Sequence, residues 1–482
     1  MFRSLPFVLL LLLFTSSRIP AEDPPRKPNI ILILTDDQGY GDLACHGNPI
    51  IKTPNLDRLH RESVRFTDYH VSPTCAPTRA ALLTGRHEFK NGVTHTINER
   101  ERLTLKATTL PLLLKSAGYT TGIFGKWHLG DEDEYQPGRR GFDEVYIHGA
   151  GGIGQSYPGS CGDAPGNKYF NPVLRHNGTF IKTAGYCTDL FFEKASSWIE
   201  VNKGKQPFFA YITPNAPHAP LDCPPGSDSP YQGKVPADVA KFYGMITNID
   251  ANVGKLLSKL KEWNIENDTL VIFMTDNGTA SGEGVFNAGM RGKKNTPYTG
   301  GTRVPSFWRW PGVFPQGVDV TQLTCHWDVV PTLTELVGLK LEGEVAKQVE
   351  GRSLVPLLKD SKADWNNRTF ITHVGRWPRG KAEEGKYAGA SIRDVRWHLV
   401  FKSADKKELF DLYNDPGEQT DVASKNPEIV RRMTQAFDIW WEETTPLLVN
   451  EAAIGPSVNP LRAAYWKQYG GPGPNNVPPP KP

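Results

Sequence analysis

The sequence has little that is typical of a nucleic-acid-binding or membrane-spanning protein. Its 55 basic and 52 acidic side chains give a formal net charge of only +3 over 482 residues. A surface that binds a polyanion needs a clustered basic excess, which this composition does not provide. Beyond residue 14, no apolar run approaches the roughly 20 residues that span a bilayer. We therefore expect no nucleic-acid partner and no stable membrane insertion.

Cysteine is also scarce, with six in the whole chain. This number excludes a small scaffold held together mainly by disulfides. Cys161 and Cys187 share a loop-rich stretch and could form a bridge, but the spacing leaves the pairing open. Glycine and proline are abundant, at 46 and 40 residues, and predict many loops around a scaffold. The chain length favours two or three domains.

The N-terminus has the pattern of a secretory signal peptide. Arg3 precedes an apolar run of about ten residues, "LPFVLLLLLF", which is too short to cross a bilayer. Small and polar residues follow, and Ala21 is a suitable cleavage point. We predict a signal peptide over residues 1–21 and export to the periplasm or the extracellular space. A permanent membrane anchor is the alternative interpretation.

Four segments share one plan, in which a short apolar run ends in polar residues. They are "NIILILTDDQGYGD", "GYTTGIFGKWHLG", "PFFAYITPNAPHAP" and "DTLVIFMTDNGTASG". Helical patterns such as residues 237–263 lie between them. Strands alternating with helices predict an α/β fold with a large, mostly parallel sheet sandwiched by helices. In such sheets ligands bind at the carboxyl edge of the strands, so we expect the four polar ends to converge there.

The pattern changes after about residue 341. Short strand-like runs with turn residues are followed by an amphipathic helical pattern, "PEIVRRMTQAFDIWWEE". These features predict a smaller antiparallel sheet with one packed helix. We therefore expect a catalytic domain over residues 22–345, a C-terminal α+β subdomain over 346–468, and a Pro/Gly-rich tail over 469–482.

Oxygen donors follow the first and the fourth of these strands. Asp36 and Asp37 come directly after one, and Asp276 and Asn277 after the other. An all-oxygen set suits a hard cation, calcium (Ca²⁺) first and magnesium (Mg²⁺) second. A helix cap or a solvated turn is the alternative for the adjacent acids. The expected meeting of both pairs at one sheet edge favours a metal site.

Cys75 opens the segment "CAPTRAALLTG". The proline and the helix-forming residues that follow place Cys75 at or near a helix N-terminus, where backbone N–H groups favour negative charge. A buried structural cysteine is the alternative, and the commoner role of a lone cysteine.

This segment resembles the Cys-x-Pro-(Ser/Thr)-Arg motif of the formylglycine-dependent sulfatases, arylsulfatase-like members of the alkaline phosphatase superfamily. "GYTTGIFGKWHLG" resembles the family's second signature, and "APHAP", "KNTPYTGGTRVP", "GRSLVPLL" and "LFDLYNDPGE" continue the match in order. The resemblance implies that a maturation enzyme converts Cys75 to formylglycine. It also implies a divalent cation, usually Ca²⁺, bound by Asp36, Asp37, Asp276 and Asn277 together with residue 75.

The resemblance also implies a mechanism and its participants. One hydroxyl of the hydrated formylglycine attacks sulfur to give a covalent sulfate ester, and the second allows the aldehyde to reform as sulfate leaves. Arg79 lies one helical turn beyond Cys75, close enough to orient the converted side chain. Together, the basic residues would form a cationic cradle around the sulfate: Arg79, Lys126, His128, His218 and Lys294. His218 is the candidate acid for the departing alcohol, and His128 would help to deprotonate the second hydroxyl.

Three positions depart from related patterns. Asn277 stands where the two-zinc alkaline phosphatases have histidine, which favours a site with one metal. Asn277 also begins an Asn-Gly-Thr glycosylation sequon, but we expect this residue to bind the metal and not to carry a glycan. Thr78 replaces the more frequent serine but keeps the hydroxyl. Thr299 stands where the family usually has an acid, which leaves Lys293 as a competitor for the role of Lys294.

The substrate is less well defined. We expect a sulfated polysaccharide or oligosaccharide, and a small aryl sulfate next. The alternatives are a phosphonate monoester or phosphodiester hydrolase of the same superfamily, and a non-catalytic protein that binds sulfated glycans with Cys75 unconverted. Four tryptophans could stack on a substrate ring or pack in the core: Trp127, Trp308, Trp310 and Trp377. Three polar residues could reach the substrate: His373, Arg376 and Arg379.

Overall fold

A computed structural model describes residues 27–149, 151–155 and 162–471. The predicted signal peptide, Cys161 and nearly all of the predicted tail lie outside these residues. The strands are β1 (Asn29–Thr35), β2 (Val64–Phe66), β3 (Tyr69–His70), β4 (Thr120–Lys126), β5 (Glu144–His148), β6 (Val173–His176), β7 (Thr179–Lys182), β8 (Phe208–Thr213), β9 (Thr269–Thr275), β10 (Ser306–Arg309), β11 (Val318–Val320), β12 (Thr324–Cys325), β13 (Phe370–His373), β14 (Ala390–Arg393), β15 (Trp397–Phe401) and β16 (Lys407–Asp411).

Helices lie between and after these strands. They are α1 (Pro54–Arg61), α2 (Cys75–Thr84), α3 (Leu110–Ser116), α4 (Cys187–Asn202), α5 (Ala237–Glu262), α6 (Thr299–Thr302), α7 (Val329–Leu336), α8 (Gly343–Gln348), α9 (Val355–Lys359), α10 (Ala382–Gly385), α11 (Pro427–Thr444) and α12 (Pro460–Tyr469). The helix expected over residues 237–263 is α5. Within the described residues, no helix has the length and apolar character needed to cross a bilayer.

A ten-stranded mixed sheet organises the larger part of the molecule. Its order is β11-β2-β10-β9-β1-β8-β4-β5-β6-β7, and the five central strands from β9 to β5 run parallel. Antiparallel pairing is confined to the two flanks, at β10 and β2 on one side and at β6 and β7 on the other. The predicted α/β fold with a mostly parallel central sheet is therefore confirmed.

The central strand β1 shows why its sequence is apolar throughout. Ile30 and Leu32 pack on one face of the sheet, against α2, α3 and α7. Ile31 and Ile33 pack on the other face, against α1, α4 and α5. Because successive side chains of a strand point to opposite faces, a strand covered on both faces needs an unbroken apolar run.

Helix α2 is unusual because all of its residues are buried. It packs on the sheet through alanine and leucine side chains and ends at Gly85, whose φ of 72° is left-handed. A Cβ at position 85 would lie 2.9 Å from Val330. Glycine therefore meets both the conformation and the space available there. This packing fixes the helix, and with it the residue at its N-terminus.

The C-terminal part forms the predicted smaller sheet. Strands β13 to β16 pair in sequence order and antiparallel, and α11 covers one face of them. Phe437 and Trp441 of α11 pack in one buried cluster with Leu399 and Phe401 of β15. The core of the larger part continues beyond residue 345, since the apolar side chains of α9 belong to it.

Polar contacts join the two parts. Arg393 of β14 donates from both Nη atoms to the carboxylate of Asp68, over 3.1 and 2.9 Å. Glu418 accepts hydrogen bonds from the backbone N–H and the hydroxyl of Thr299, at 3.0 and 2.7 Å. Glu418 of the C-terminal part thus sets a carboxylate against position 299, where the family usually has an acid.

Helix α12 was not anticipated from the sequence. The backbone N–H of Phe180 in β7 donates to Oε1 of Gln468 at 2.9 Å, and Nε2 of Gln468 donates to the Phe180 carbonyl. The side-chain amide therefore occupies backbone groups that an edge strand leaves open.

Candidate active site at the carboxyl edge of the sheet

The polar ends of the predicted strands meet at one edge of the sheet. Asp36 and Asp37 directly follow β1, Asp276 directly follows its parallel neighbour β9, and Lys126 is the last residue of β4. His218 lies in the loop after β8, which pairs with both β1 and β4. The structure thus brings together residues that are about 240 positions apart, as the rule for carboxyl edges predicts.

Two buried carboxylates and the Cys75 thiol form the centre of this site. One ligand atom from each of Asp36, Cys75 and Asp276 lies within 4.8 Å of the other two, and all three residues are buried. Burial raises the pKa of Asp36 and of Asp276 to about 6, against the opposing effect of nearby cations. Removal from water disfavours their charged forms, and a bound cation would restore them.

Two oxygen atoms at this centre lack a partner. Within the described residues, neither Oδ1 of Asp36 nor Oδ1 of Asn277 has a hydrogen bond, although both atoms are buried. Buried polar atoms are almost always paired, so unpaired oxygens pointing into a carboxylate cluster favour a metal ligand role. The donor set fits a hard divalent cation. Asn277 is fully buried, which is incompatible with a glycan on the folded protein.

Asp37 holds the second side of the centre. Its φ of 68° is left-handed, and the Nζ atom of Lys294 lies 2.6 Å from its Oδ1. Asn277 donates from Nδ2 to the same oxygen at 3.0 Å. Burial alone would raise the pKa of Asp37, but Lys294 and His218 outweigh it and hold the pKa well below its usual range. Asp37 is therefore a carboxylate at neutral pH.

Cys75 is the first residue of α2, as the sequence predicts, and is 2% exposed. The N-cap residue, Thr74, makes no side-chain capping hydrogen bond, which leaves the backbone N–H groups of the first turn to favour negative charge near Cys75. Burial alone would raise the pKa of the Cys75 thiol, but Lys126 and Lys294 outweigh it and lower the pKa. Thr78 donates from its hydroxyl to the Ser72 carbonyl at 3.1 Å, which ties the first turn to the preceding loop.

Lys126 and Arg79 are bound to the central carboxylates. Lys126 donates from Nζ to Oδ2 of Asp36 at 2.7 Å, with both side chains fully buried. Arg79 donates from Nη2 and Nε to Oδ2 of Asp276, at 2.7 and 3.1 Å, and from Nη1 to the Lys126 carbonyl. The hydrogen bonds of Arg79 therefore position Asp276 and the end of β4.

His128 does not continue an extended segment from Lys126, because its φ is 60°. The left-handed turn brings its Nε2 to 2.8 Å from the carbonyl of Thr96. A carbonyl only accepts, so Nε2 carries the proton and Nδ1 is the basic nitrogen. Burial and the charge of Lys126 hold the pKa of His128 well below its ordinary value. The neutral ring presents an Nδ1 atom that has no partner among the described residues.

His218 is held by its backbone on both sides. Its N–H donates to the Asn215 carbonyl at 3.0 Å, and the Tyr169 hydroxyl donates to the His218 carbonyl at 2.7 Å. The ring donates from Nδ1 to the Ala219 carbonyl at 2.7 Å, so Nε2 faces the site. That nitrogen lies 3.7 Å from Oδ2 of Asp37.

A cavity of about 280 Å³ opens above this centre. Its lining includes four of the predicted catalytic residues and one candidate substrate contact, Arg376, together with side chains that the sequence did not single out. The lining residues are Cys75, His128, His218, Lys294, His95, Thr96, Ile97, Gly151, Gln155, Asn295 and Arg376.

The structure distinguishes neighbouring basic candidates that the sequence could not tell apart. Lys294 lines the cavity, whereas Lys293 points away and pairs with Glu283 at 2.7 Å on the surface. Arg376 also lines the cavity, whereas Arg379 donates to Glu99 at 2.8 Å.

The aromatic candidates for substrate contact are buried in the protein interior. His373 is fully buried and contacts the carbonyls of Gly385 and Lys386. The tryptophans, which could have stacked on a substrate ring, are buried instead: Trp127, Trp308, Trp310 and Trp377. The packing alternative is the one observed.

Some residues at the site were missed from the sequence. His148 ends β5 next to Lys126 at the same edge, is buried, and has no hydrogen bond among the described residues. The short run "EVYIH" follows the same plan as the four recognised strands, so that plan could have located it. His95 and Asn295 carry no such signal because they lie in loops.

Comparison with known protein families identifies the family of this chain. A sequence model described as "Sulfatase" matches residues 28–339, well over half of the chain. The chain belongs to the sulfatase family. The C-terminal part of this sulfatase, residues 292–439, matches a second model, "N-sulphoglucosamine sulphohydrolase, C-terminal".

Individual relatives agree along most of the sulfatase chain. N-acetylgalactosamine-6-sulfatase of Canis lupus familiaris is 30% identical over 467 residues, covering 88% of this chain and 88% of that protein. Arylsulfatase A of Homo sapiens is 30% identical and covers 85% of this chain and 87% of that protein. The crystal structure of Ps i-CgsB superposes with a TM-score of 0.77 at 28% identity, over 92% of this chain and 97% of that chain.

These matches establish a sulfuric ester hydrolase of the arylsulfatase type within the alkaline phosphatase superfamily. They also confirm the fold class, a large mixed sheet flanked by helices with a small antiparallel sheet at the C-terminus.

Proposed function

We propose that this sulfatase removes sulfate from a sulfated carbohydrate, with a formylglycine made from Cys75 as nucleophile and a bound Ca²⁺. The observation that carries the proposal is the clustering of Asp36, Cys75 and Asp276 within 4.8 Å, at a helix N-terminus beneath a cavity. A carbohydrate substrate is favoured by the relatives: one is named N-acetylgalactosamine-6-sulfatase, and Ps i-CgsB has been solved with k-i-k-neocarrahexaose. An aryl sulfate is the next candidate.

The cation would be held by Asp36, Asp37, Asp276 and Asn277, together with the side chain at position 75. These donors offer carboxylate and amide oxygens, which favour Ca²⁺ over softer metals. When bound, the cation supplies positive charge that stabilises the sulfate oxygens and favours the deprotonated form of a hydroxyl at position 75. The unpaired oxygens of Asp36 and Asn277 support this assignment.

Formylglycine supplies two hydroxyls on one carbon when hydrated, one to attack sulfur and one to expel sulfate as the aldehyde reforms. The chain provides the electrostatic setting for both steps. Lys126 and Lys294 lower the pKa of the Cys75 thiol against the effect of burial, which supports a role for both charges at position 75. Their ammonium groups and the N-terminus of α2 oppose the negative charge that accumulates as sulfate is transferred.

Two histidines are placed to move the protons. We assign His218 as the acid, because its Nε2 faces the cavity and can carry a proton to the departing alcohol oxygen. We assign His128 as the base, because the Thr96 carbonyl fixes the proton on Nε2 and leaves Nδ1 free to accept. The second hydroxyl at position 75 is the proton donor to His128 in this scheme.

Mass spectrometry of the tryptic peptide over residues 66–79 tests the nucleophile. We expect the CH₂–SH side chain of Cys75 to be replaced by an aldehyde, and 4-nitrophenyl sulfate to be hydrolysed in proportion to the converted fraction. Cys75→Ala is the matched control and should show no turnover. An unconverted thiol in a protein that hydrolyses the ester would refute the nucleophile. An unconverted thiol in an inactive protein that binds sulfated glycans would support a binding function instead.

A parallel assay with a phenyl phosphonate monoester separates the two hydrolase classes. We expect kcat/KM for the sulfate ester to be the larger of the two. A strong preference for the phosphonate would assign this chain to the phosphonate monoester hydrolases of the superfamily.

We further propose export with removal of residues 1–21, and a division into a catalytic part and a C-terminal part. N-terminal sequencing of the protein recovered from the periplasm or the culture medium should begin just after Ala21. A mature protein that still carries the apolar run would indicate a membrane anchor.

A further inference from the structure

Arg376 sits in the wall of the cavity on a loop that the structure holds in place. The loop follows β13, and Arg100 donates to it from both sides of Arg376, to the Gly375 carbonyl at 2.9 Å and to the Trp377 carbonyl at 2.7 Å. The Arg100 guanidinium also lies 4.7 Å from the centre of the Trp377 ring. Gly375 has a φ of 69°, and a Cβ there would lie 1.7 Å from the Thr94 carbonyl oxygen. The backbone at Arg376 is therefore fixed before any ligand binds.

Among the residues that the structure describes, the guanidinium of Arg376 contacts only neutral groups. Its Nη1 lies 2.8 and 2.9 Å from the two ring nitrogens of His95 and donates to the Thr96 hydroxyl at 3.0 Å. Its Nη2 donates to Oδ1 of Asn295 at 3.0 Å. Burial and the adjacent Arg376 hold the pKa of His95 down to about 2, so this imidazole is uncharged. The contacts orient the guanidinium plane without neutralising it.

The other cations around the cavity each have an acidic partner. Lys126 pairs with Asp36 and Lys294 with Asp37. Behind the loop, Arg100 pairs with Glu451 at 3.1 Å. No carboxylate among the residues that the structure describes lies within ion-pair distance of Arg376. An arginine stays protonated even when partly desolvated, so a full positive charge faces the cavity with no counter-ion from the described part of the chain.

Such a charge is suited to an anion from outside the protein. A planar guanidinium donates two parallel hydrogen bonds to a carboxylate or a sulfate group. In the proposed function the groups around Cys75 bind the scissile sulfate, whereas Arg376 lines the same cavity from the loop after β13 in the C-terminal part. Asn295, which orients Arg376, directly follows Lys294 in the chain. The uncompensated charge thus lies beside the sulfate cradle and outside its ion pairs.

We propose that Arg376, oriented by His95 and Asn295, binds a second anionic group of the substrate that is not itself cleaved. This inference rests on the proposed function in taking the cavity as the substrate site, and it defines the substrate class. The preferred substrate carries at least two negative groups, either two sulfates or a sulfate and a carboxylate. A singly sulfated sugar or an aryl sulfate would fill only the reactive part of the site.

Matched pairs of ligands test the proposal. The members of each pair differ by one anionic group: N-acetylglucosamine 6-sulfate against N-sulfoglucosamine 6-sulfate, a κ- against a ι-carrageenan disaccharide, and a 6-sulfated disaccharide with a uronate against its carboxyl-reduced form. Inhibition constants are measured against 4-nitrophenyl sulfate hydrolysis. In the wild type we expect the added group to tighten binding roughly 10- to 100-fold in at least one pair, the range for a hydrogen-bonded charge pair.

The variants Arg376→Gln and Arg376→Lys report on the origin of that gain. We expect the gain to disappear in Arg376→Gln and to be partly kept in Arg376→Lys, which retains the charge but not the planar fork. Arg379→Gln is the matched control, because Arg379 lies three positions further along the same loop and is paired with Glu99 outside the cavity. Its gain should equal that of the wild type.

Two results would overturn the proposal: no pair shows a gain in the wild type, or the gain survives in Arg376→Gln. The carboxylate and sulfate arms show which anion is bound. Failure of the proposed function is recognised separately, because it appears as absent hydrolysis of 4-nitrophenyl sulfate. In that event the same pairs are compared by calorimetry, and the same two results overturn the inference.

Discussion

The pair Lys293 and Lys294 offers a sharp test of the site, because adjacent lysines have opposite surroundings. Lys294 is 14% exposed, and its Nζ lies 2.6 Å from the Asp37 carboxylate beneath the cavity. Lys293 is 47% exposed and pairs with the exposed Glu283. Replacing each by methionine removes the same charge from two places that are one residue apart. Only the change at 294 should affect catalysis.

The expected loss follows from the environment of each charge. Two unit charges 2.6 Å apart attract by about 6 kcal/mol at an effective dielectric constant of about 20, before desolvation is subtracted. Removing one preorganised donor to a developing anion typically costs about 3 kcal/mol of transition-state stabilisation. At 1.36 kcal/mol per tenfold change, kcat/KM of Lys294→Met should fall roughly 100-fold. Lys293→Met removes a surface ion pair of about 0 to 1 kcal/mol, so its kcat/KM should stay within about threefold.

The assay is 4-nitrophenyl sulfate hydrolysis at equal concentrations of converted protein, with conversion of Cys75 measured on each sample. Thermal unfolding of both variants separates loss of the fold from loss of catalysis. The role of Lys294 is refuted if Lys294→Met retains activity within threefold of the wild type. It is also refuted if Lys293→Met loses as much activity as Lys294→Met.

Three other predictions concern the metal, the pH and the core. Chelation of divalent cations should lower both the activity and the unfolding temperature, because Asp36 and Asp276 then lose the bound positive charge that offsets the cost of burying their carboxylates. Ca²⁺ should restore both quantities better than Mg²⁺. An unfolding temperature that does not change on chelation in a calorimetric scan would contradict the metal assignment. Burial would raise the pKa of Asp68, but Arg393 outweighs it and holds the pKa well below its usual range. The carboxylate therefore stabilises the fold above about pH 4, and this stabilisation is lost as the pH falls below that value. Arg393→Gln should be less stable at pH 7 and lose less on acidification, and parallel pH profiles by urea unfolding would count against the ion pair. Phe437→Ala should destabilise the C-terminal part by about 3 to 5 kcal/mol in urea unfolding because the side chain is fully buried, and a loss below about 1 kcal/mol would show that the cluster repacks.

The sequence alone determined the central scaffold and most of the polar residues that meet at its carboxyl edge. A strand buried on both faces must be apolar along its length, so β1 and its parallel neighbours are visible as short unbroken runs. Their carboxyl ends share one edge, so the polar residues that end the runs had to converge. Helix α2 was visible through its proline and its helix-forming residues, and it placed Cys75 at the N-terminus where the structure has it.

The tertiary structure alone decided which neighbouring side chains face the cavity. Lys293 and Lys294 are the same residue type, and the left-handed φ that orients His128 cannot be read from its spacing to Lys126. Glu418 and Arg376 approach from the C-terminal part, more than 80 positions away from the site residues that they contact. Local patterns encode the period of a strand or helix, but they do not encode how one packed unit is oriented against another. The ion pair that singles out Lys294, and the uncompensated charge of Arg376, exist only once that packing is complete.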